Sequence, residues 1–341
     1  MKHPQHSPPA GRAAEYTCLG IALALLAFGT GRSAIAAVPA ADASSPELVQ
    51  EVEVTGERAG PRLWRVAKDD HVLWLLGTLD PLPRRMTWKS REVEAVLGEV
   101  QEVVPTNPSV SVHANPFTWV RLYFQWRGVQ VIDKDGQLKD VLPDALYARL
   151  KALIGRYDSG DRRIERLKPV FAALRLYRQA LDSARLAPGN QAEATVLKLA
   201  RAHKVPIRQS KLKIDDPRDL VTQLGQIPRD AQVGCLEAVV ERLETGMGAM
   251  QEEARAWSLG DVAALRQLMV PKTIDVCTAA VSSSSRTRQL IDDSNADWNR
   301  EVQLALMNNR STLALKPIHD LLGPHGVLAA FKARGYDVEG P

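Results

Sequence analysis

The chain has 341 residues, with 44 Lys and Arg against 40 Asp and Glu, a formal net charge of +4 and 45% hydrophobic residues. This balance supports a sizeable core and excludes a disordered tail, a collagen-like repeat or a polytopic membrane protein. A charge so near zero leaves no footprint for nucleic acid, and three cysteines are too few for a disulfide scaffold or a Cys-rich zinc module.

Residues 1–36 have the layout of a secretory signal peptide: basic Lys2 and Arg12, an apolar run from Leu19 to Phe28, and Ala34-Ile35-Ala36 as a cleavage signal. The run is short for a bilayer span, so no transmembrane segment is expected in the mature chain. Cys18 lacks the small-residue box of a lipoprotein. The expected location is therefore exported, periplasmic or secreted. Cys235 and Cys277 are then the remaining thiols. In an oxidising compartment they are expected to form a disulfide closing a loop of roughly 40 residues, the alternative being two buried free thiols. Residues 37–62 are Ala/Pro/Ser-rich and then acidic, which predicts a flexible leader. A single domain follows over 63–341.

Leu63-Trp64-Arg65-Val66 is a predicted strand, Lys68 to His71 a turn, and Val72-Leu73-Trp74-Leu75-Leu76 a strand buried on both faces, punctuated by Gly77. Ser90 is placed to cap a helix carrying Val93, Val96, Leu97 and Val100, before a short strand at Val103-Val104. The C-terminus repeats this β-loop-α-β plan. Thr312 to Lys316 forms a strand and Pro317 to Gly323 a loop. Pro324 opens a helix through Val327, Leu328 and Phe331, Gly335 ends it, and Tyr336-Asp337-Val338 is a strand. Between these ends helices are expected at 144–186, 190–203, 217–226, 230–257, 261–268 and 287–309, with a loop at Ser282–Ser285 and a strand at Val205-Pro206-Ile207. The fold class is thus α/β, with a central sheet built from the N- and C-terminal units and a mostly helical middle.

The middle is electrostatically divided. Residues 145–185 carry ten Lys/Arg and four acids, and residues 230–261 two Arg and seven acids. This predicts solvated helix faces that attract one another. Trp119, Tyr123, Phe124 and Trp126 are expected to serve as core or packing surface.

Two loops follow sheet strands, where α/β folds bind ligands: Gly77-Thr78-Leu79-Asp80 and Pro317-Ile318-His319-Asp320. The run LWRVAKDDHVLWLLGTLDPLPRRMTWKSREVEAVL resembles the opening of the TraB/GumN family, which includes the TIKI-type metalloproteases, and HDLLGPHGVLAAFKARGYDV resembles its closing segment. AWSLGDVAALR, CLEAVVERLE and the second cysteine at 277 are also similar to segments of its bacterial secreted members.

The resemblance implies metal-dependent peptide hydrolysis by two Gly-x-x-His motifs, a Glu after the first helix and an Arg-Asn pair. This sequence departs at each place. Asp80 stands at the first His, and Asp320 at the second with Pro317 in place of its Gly. A register one residue earlier would put His319 there, but the Leu-Leu-Gly-Pro spacing favours Asp320. Pro105 falls near the expected Glu, and Ser294-Asn295 replaces the Arg-Asn pair. Two aspartates still suit a hard cation. The expected cofactor is accordingly none, or a divalent metal (Mn, Mg or Zn) on Asp80 and Asp320.

Gly77, Thr78, Asp80, Asn295, His319 and Asp320 are the candidate binding residues. The reading is a catalytically degenerate binding or accessory protein of the cell envelope, with an unknown peptide or envelope component as partner. The alternatives are a hydrolase using Asp80 and Asp320 as substituted ligands, and a protein that sequesters haem or peptide in the same cleft.

Overall fold

The computed structural model describes residues 60–341 except 89–90, 113–114, 134–135, 159–161, 269–271 and 324, and the side chains of 272–275. The signal peptide, the leader up to residue 59, and the positions of Ser90 and Pro324 lie outside the described residues.

β1 (Leu63–Lys68) and β2 (His71–Thr78) form an antiparallel hairpin around Asp69, whose φ of 56° gives the tight reversal. β3 (Leu82–Pro83) precedes α1 (Arg91–Leu97), which buries Val93, Val96 and Leu97 at helical spacing. β4 (Glu102–Val104) and β5 (Ser109–Val112) follow, then α2 (Pro116–Gln130). Asn115 caps α2 by accepting from the Thr118 N–H, with Pro116 at its first turn.

The stretch expected as one helix over 144–186 is α3 (Asp144–Tyr157), a 3-10 turn at Arg162–Arg166 and α4 (Pro169–Ser183), because Pro169 cannot extend a preceding helix. Leu186–Ala187 is instead strand β6, paired with β3. Next come α5 (Gln191–Ala202), β7 (Lys211–Ile214), α6 (Pro217–Gly225), α7 (Arg229–Glu244) and α8 (Gly248–Leu259). The single helix expected over 230–257 breaks at Gly246, whose φ of 87° no helix accommodates. The chain ends with α9 (Val262–Leu268), α10 (Lys272–Val281), α11 (Ser285–Asn308), β8 (Ser311–Pro317), α12 (Ile318–Leu322), α13 (Val327–Ala333) and β9 (Asp337–Glu339). The loop expected after Lys316 thus contains a short helix. Ile207 makes only an isolated bridge to Val103, not the strand expected there.

The main sheet has the order β4-β8-β2-β1-β9, with β2 and β4 parallel to β8 and β1 antiparallel to β2 and β9. The α/β class and the sheet drawn from both chain ends are as expected. One core surrounds this sheet and includes α1, α5, α8, α9 and α11 to α13. A second core lies among α2, α3, α4, α6, α7 and α10. Inside it Cys235 of α7 and Cys277 of α10 form a disulfide, as expected from the two leftover thiols.

The charge division resolves into contact: Arg149 of α3 pairs with Glu244 of α7 at 2.6 Å. The aromatic cluster divides. Trp126 is core, edge-on to Phe171 at 5.5 Å, whereas Trp119, Tyr123 and Phe124 are exposed. No helix among the described residues is long and apolar enough to cross a membrane.

Candidate functional site

β2 and β8 run parallel and in register, so the loops leaving them start side by side: Gly77 pairs with Lys316 and Thr78 with Pro317. Three residues beyond Gly77 is Asp80, and three beyond Lys316 is His319. The pairing ends at Thr78 and Pro317: beyond it Asp80 lies in the loop after β2, whereas His319 and Asp320 lie on α12.

The two strand ends are built alike. The buried indole of Trp257 donates to the Gly77 carbonyl at 2.7 Å, and that of Trp298 to the Leu315 carbonyl at 3.1 Å. Each satisfies a backbone acceptor that would be costly to bury alone. Gly77 is required for close approach, since a Cβ there would overlap the Ile318 side chain.

Beyond β8 the ends differ. A cavity of about 410 Å³ is lined by Asn295 and Asn299 of α11, by Lys316, His319 and Asp320, and by the turn carrying His325. Asn295, Trp298 and Asn299 sit at helical spacing on one face of α11. Lys316 reaches this cavity from the strand end and is only 7% exposed. Its Nζ donates to Asn295 Oδ1 at 3.1 Å, lies 3.8 Å from an Asp320 oxygen and sits 4.7 Å from the centre of the Trp298 ring. Burial pushes its pKa below the ordinary lysine value, and the charge of Asp320 partly opposes that shift. Asp320 also approaches His319 Nε2 at 3.3 Å.

Asp80 faces other partners and does not line this cavity. Its carboxylate accepts from the Gly189 N–H at 3.1 and 3.3 Å. Water reaches its side chain, yet the surrounding chain desolvates it enough to raise its pKa, against the lowering effect of the Gly189 and Asn190 N–H groups. Beside this loop is a carboxylate that the motif comparison does not reveal. Glu193 of α5 is 4% exposed and accepts from the Thr106 N–H at 3.2 Å and from Asn190 Nδ2 at 2.9 Å. Burial raises its pKa. It stands next to the end of β4, where the family resemblance leads one to look for a Glu and the chain has Pro105. The sequence signal for it is Asn190-x-x-Glu193, which reads only as a helix cap.

Of the candidate residues, the structure brings Asn295, His319 and Asp320 together around Lys316. Gly77 and Thr78 lie on the adjacent strand and hold its end. Asp80, in the loop after β2, instead contacts Gly189 just ahead of α5. Among the described residues no three His, Cys, Asp or Glu side chains are grouped to hold a metal ion.

Residues 62–340 match the TraB/PrgY/gumN family. No curated protein and no solved structure matches the chain. The match spans nearly the whole described region, including both strand ends, and the chain therefore belongs to the TraB/PrgY/gumN family.

Proposed function

We propose that this chain is an exported, catalytically degenerate member of its family that binds a carboxylate-bearing ligand, a peptide or another envelope component, in the cavity beyond β8. The observation that carries this reading is Lys316. Its buried ammonium occupies the strand position paired with Gly77, 3.8 Å from the nearest cavity carboxylate. The donor set does not fit a divalent cation. Asp320 is the one carboxylate among the lining residues and already has the Lys316 ammonium 3.8 Å away, which leaves a divalent cation too few anionic ligands. The same ammonium, with the amides of Asn295 and Asn299 and the imidazoles of His319 and His325, offers donors to an anion. The exported location rests on the N-terminal signal pattern and is supported by the disulfide.

Two measurements test this reading. Metal analysis of the dialysed protein after loading with Mn²⁺ or Zn²⁺ is expected to find no stoichiometric ion. One ion per chain, lost in Asp80→Ala or Asp320→Ala, would support the metal-dependent hydrolase instead. A short unstructured peptide with a free C-terminal carboxylate is expected to bind more tightly than its amide, and Lys316→Met to weaken only the former, by about 10- to 100-fold. Equal binding of both peptides overturns the reading.

A further inference from the structure

A second surface, on α2, shares no residue with the cavity lining. This helix is held from one side. Leu122 and Trp126 are buried, Gln125 Nε2 donates to the Arg218 carbonyl and to Thr222 Oγ1 of α6, and Val129 packs closely on Gly225. Its other side carries the greatest concentration of exposed apolar side chains among the described residues: Phe117 is 82% exposed, Phe124 67%, Val120 57%, Trp119 43% and Tyr123 41%. At 100° per residue Phe117, Val120 and Phe124 lie opposite Leu122 and Trp126, Tyr123 and Trp119 extend the arc round to the flank of Trp126, and Arg127 falls within it. A patch of this kind on an otherwise ordinary surface marks an interaction site, and the fixed inner face prevents the helix from rotating to bury it.

We propose that this face of α2 docks on the surface of an anionic phospholipid bilayer. Three observations favour a lipid surface. The helix contains no acidic residue, and Arg121 and Arg127 are exposed with no ion-pair partner among the described residues. The nearby acids of α6 are engaged, Asp216 in capping its own helix and Asp219 in accepting from Gln223.

The exposure is also graded. The outermost groups, Phe117, Val120 and Phe124, are purely apolar, whereas the less exposed shoulder groups, Trp119 and Tyr123, carry a polar tip. That order suits a bilayer, where apolar tips enter the acyl boundary, Trp and Tyr sit at headgroup level and Arg meets phosphate. A second copy of the chain is a poor occupant. A two-fold contact through this face would bring four arginines together without an acid. The inference is independent of the ligand assigned to the cavity.

The test uses the full chain with vesicles of phosphatidylglycerol and phosphatidylcholine in equal parts, and with phosphatidylcholine alone. Co-sedimentation with the anionic vesicles is expected. Quenching of tryptophan fluorescence by brominated acyl chains is expected too, and should be largely lost in Trp119→Phe. That readout separates α2 from the apolar segment at residues 19–28, which all variants share. Phe117→Ser with Phe124→Ser should weaken binding roughly 30-fold without changing the melting temperature, because both side chains already face water. Arg121→Gln with Arg127→Gln should weaken it roughly 20-fold on anionic vesicles and little on neutral ones. Absence of Trp119 quenching in the wild-type chain overturns the proposal, as does vesicle binding unchanged by the double Phe substitution. Self-association in sedimentation velocity that the Phe substitutions abolish, without vesicle binding, would assign the face to a second copy instead.

Discussion

The core around the sheet draws on both ends of the chain, from Leu63 to Val104 and again from Trp298 to Phe331, with α5, α8 and α9 closing over it. The core among the helices is taken from one sequence interval, Val110 to Leu290, and it alone is covalently tied, between Cys235 and Cys277. The first depends on a strand pairing between residues some 240 positions apart, such as Leu73 with Thr312. The second also joins distant segments, α2 with α6 and α4 with α7, but takes no residue from either chain end. The site stands on the sheet half, where two equivalent strand ends are fixed by buried indoles, and the exposed aromatic face stands on the helical half. Placement of the chemistry and reinforcement of the chain are thus assigned to different parts of one molecule.

The disulfide gives the largest expected effect. A closed loop with a sequence separation of 42 is worth about 4 kcal/mol in the chain-entropy model. Reduction, or Cys235→Ser with Cys277→Ser, should lower unfolding stability by about that amount in a denaturant titration. Hydrogen exchange should rise first in α7 and α10 and later in β2 and β8. Equal loss of protection throughout would make the two cores one cooperative unit and dissolve the contrast.

Gly77→Ala should act on the sheet half instead. The overlap with Ile318 should cost about 2 kcal/mol and, by displacing α12, weaken ligand binding in the cavity. Calorimetry and ligand titration together check this, and Gly128→Ala, where a Cβ meets no neighbour, provides the control.

Smaller effects separate the two strand ends by pH. Glu193 has a raised pKa in the folded chain, so the folded state holds that proton more tightly than the unfolded one. Relative to Glu193→Gln, the wild-type protein should gain stability as pH falls through the folded pKa toward the ordinary glutamate value of 4.5. Lys316 has a lowered pKa, and the sign reverses. Relative to Lys316→Met, the wild type should gain stability as pH rises from the folded pKa toward 10.5, because the unfolded chain then binds more protons. Melting temperatures of each pair across pH show whether the slopes oppose one another. Slopes of the same sign would mean that the two buried groups are not governed by desolvation.

The strands from both chain ends are legible in the sequence because the continuous apolar run at 72–76 and the apolar-rich segments at 63–66 and 312–316 leave few alternatives. α2 is not, since a helix exposing Phe117, Val120 and Phe124 has no polar outer face to reveal its period. The two-stranded pairing of β5 with β7 joins four-residue segments some 100 positions apart, too short for a pattern to register. At the site, Asn295, His319 and Asp320 are visible as motif positions. Lys316 is not, because a lysine ending a strand ordinarily reaches water, and only the folding of Trp298 and Asp320 around it reveals an enclosed charge. Glu193 is hidden for the opposite reason, as its local pattern has an adequate explanation as a cap.

The position of β8 inside the sheet, flanked by β4 and β2, has a consequence for biosynthesis. Until residue 311 leaves the ribosome, the N-terminal hairpin and β4 have no strand between them to bridge. The sheet can therefore close only after nearly the whole polypeptide has been made, however early its N-terminal hairpin forms.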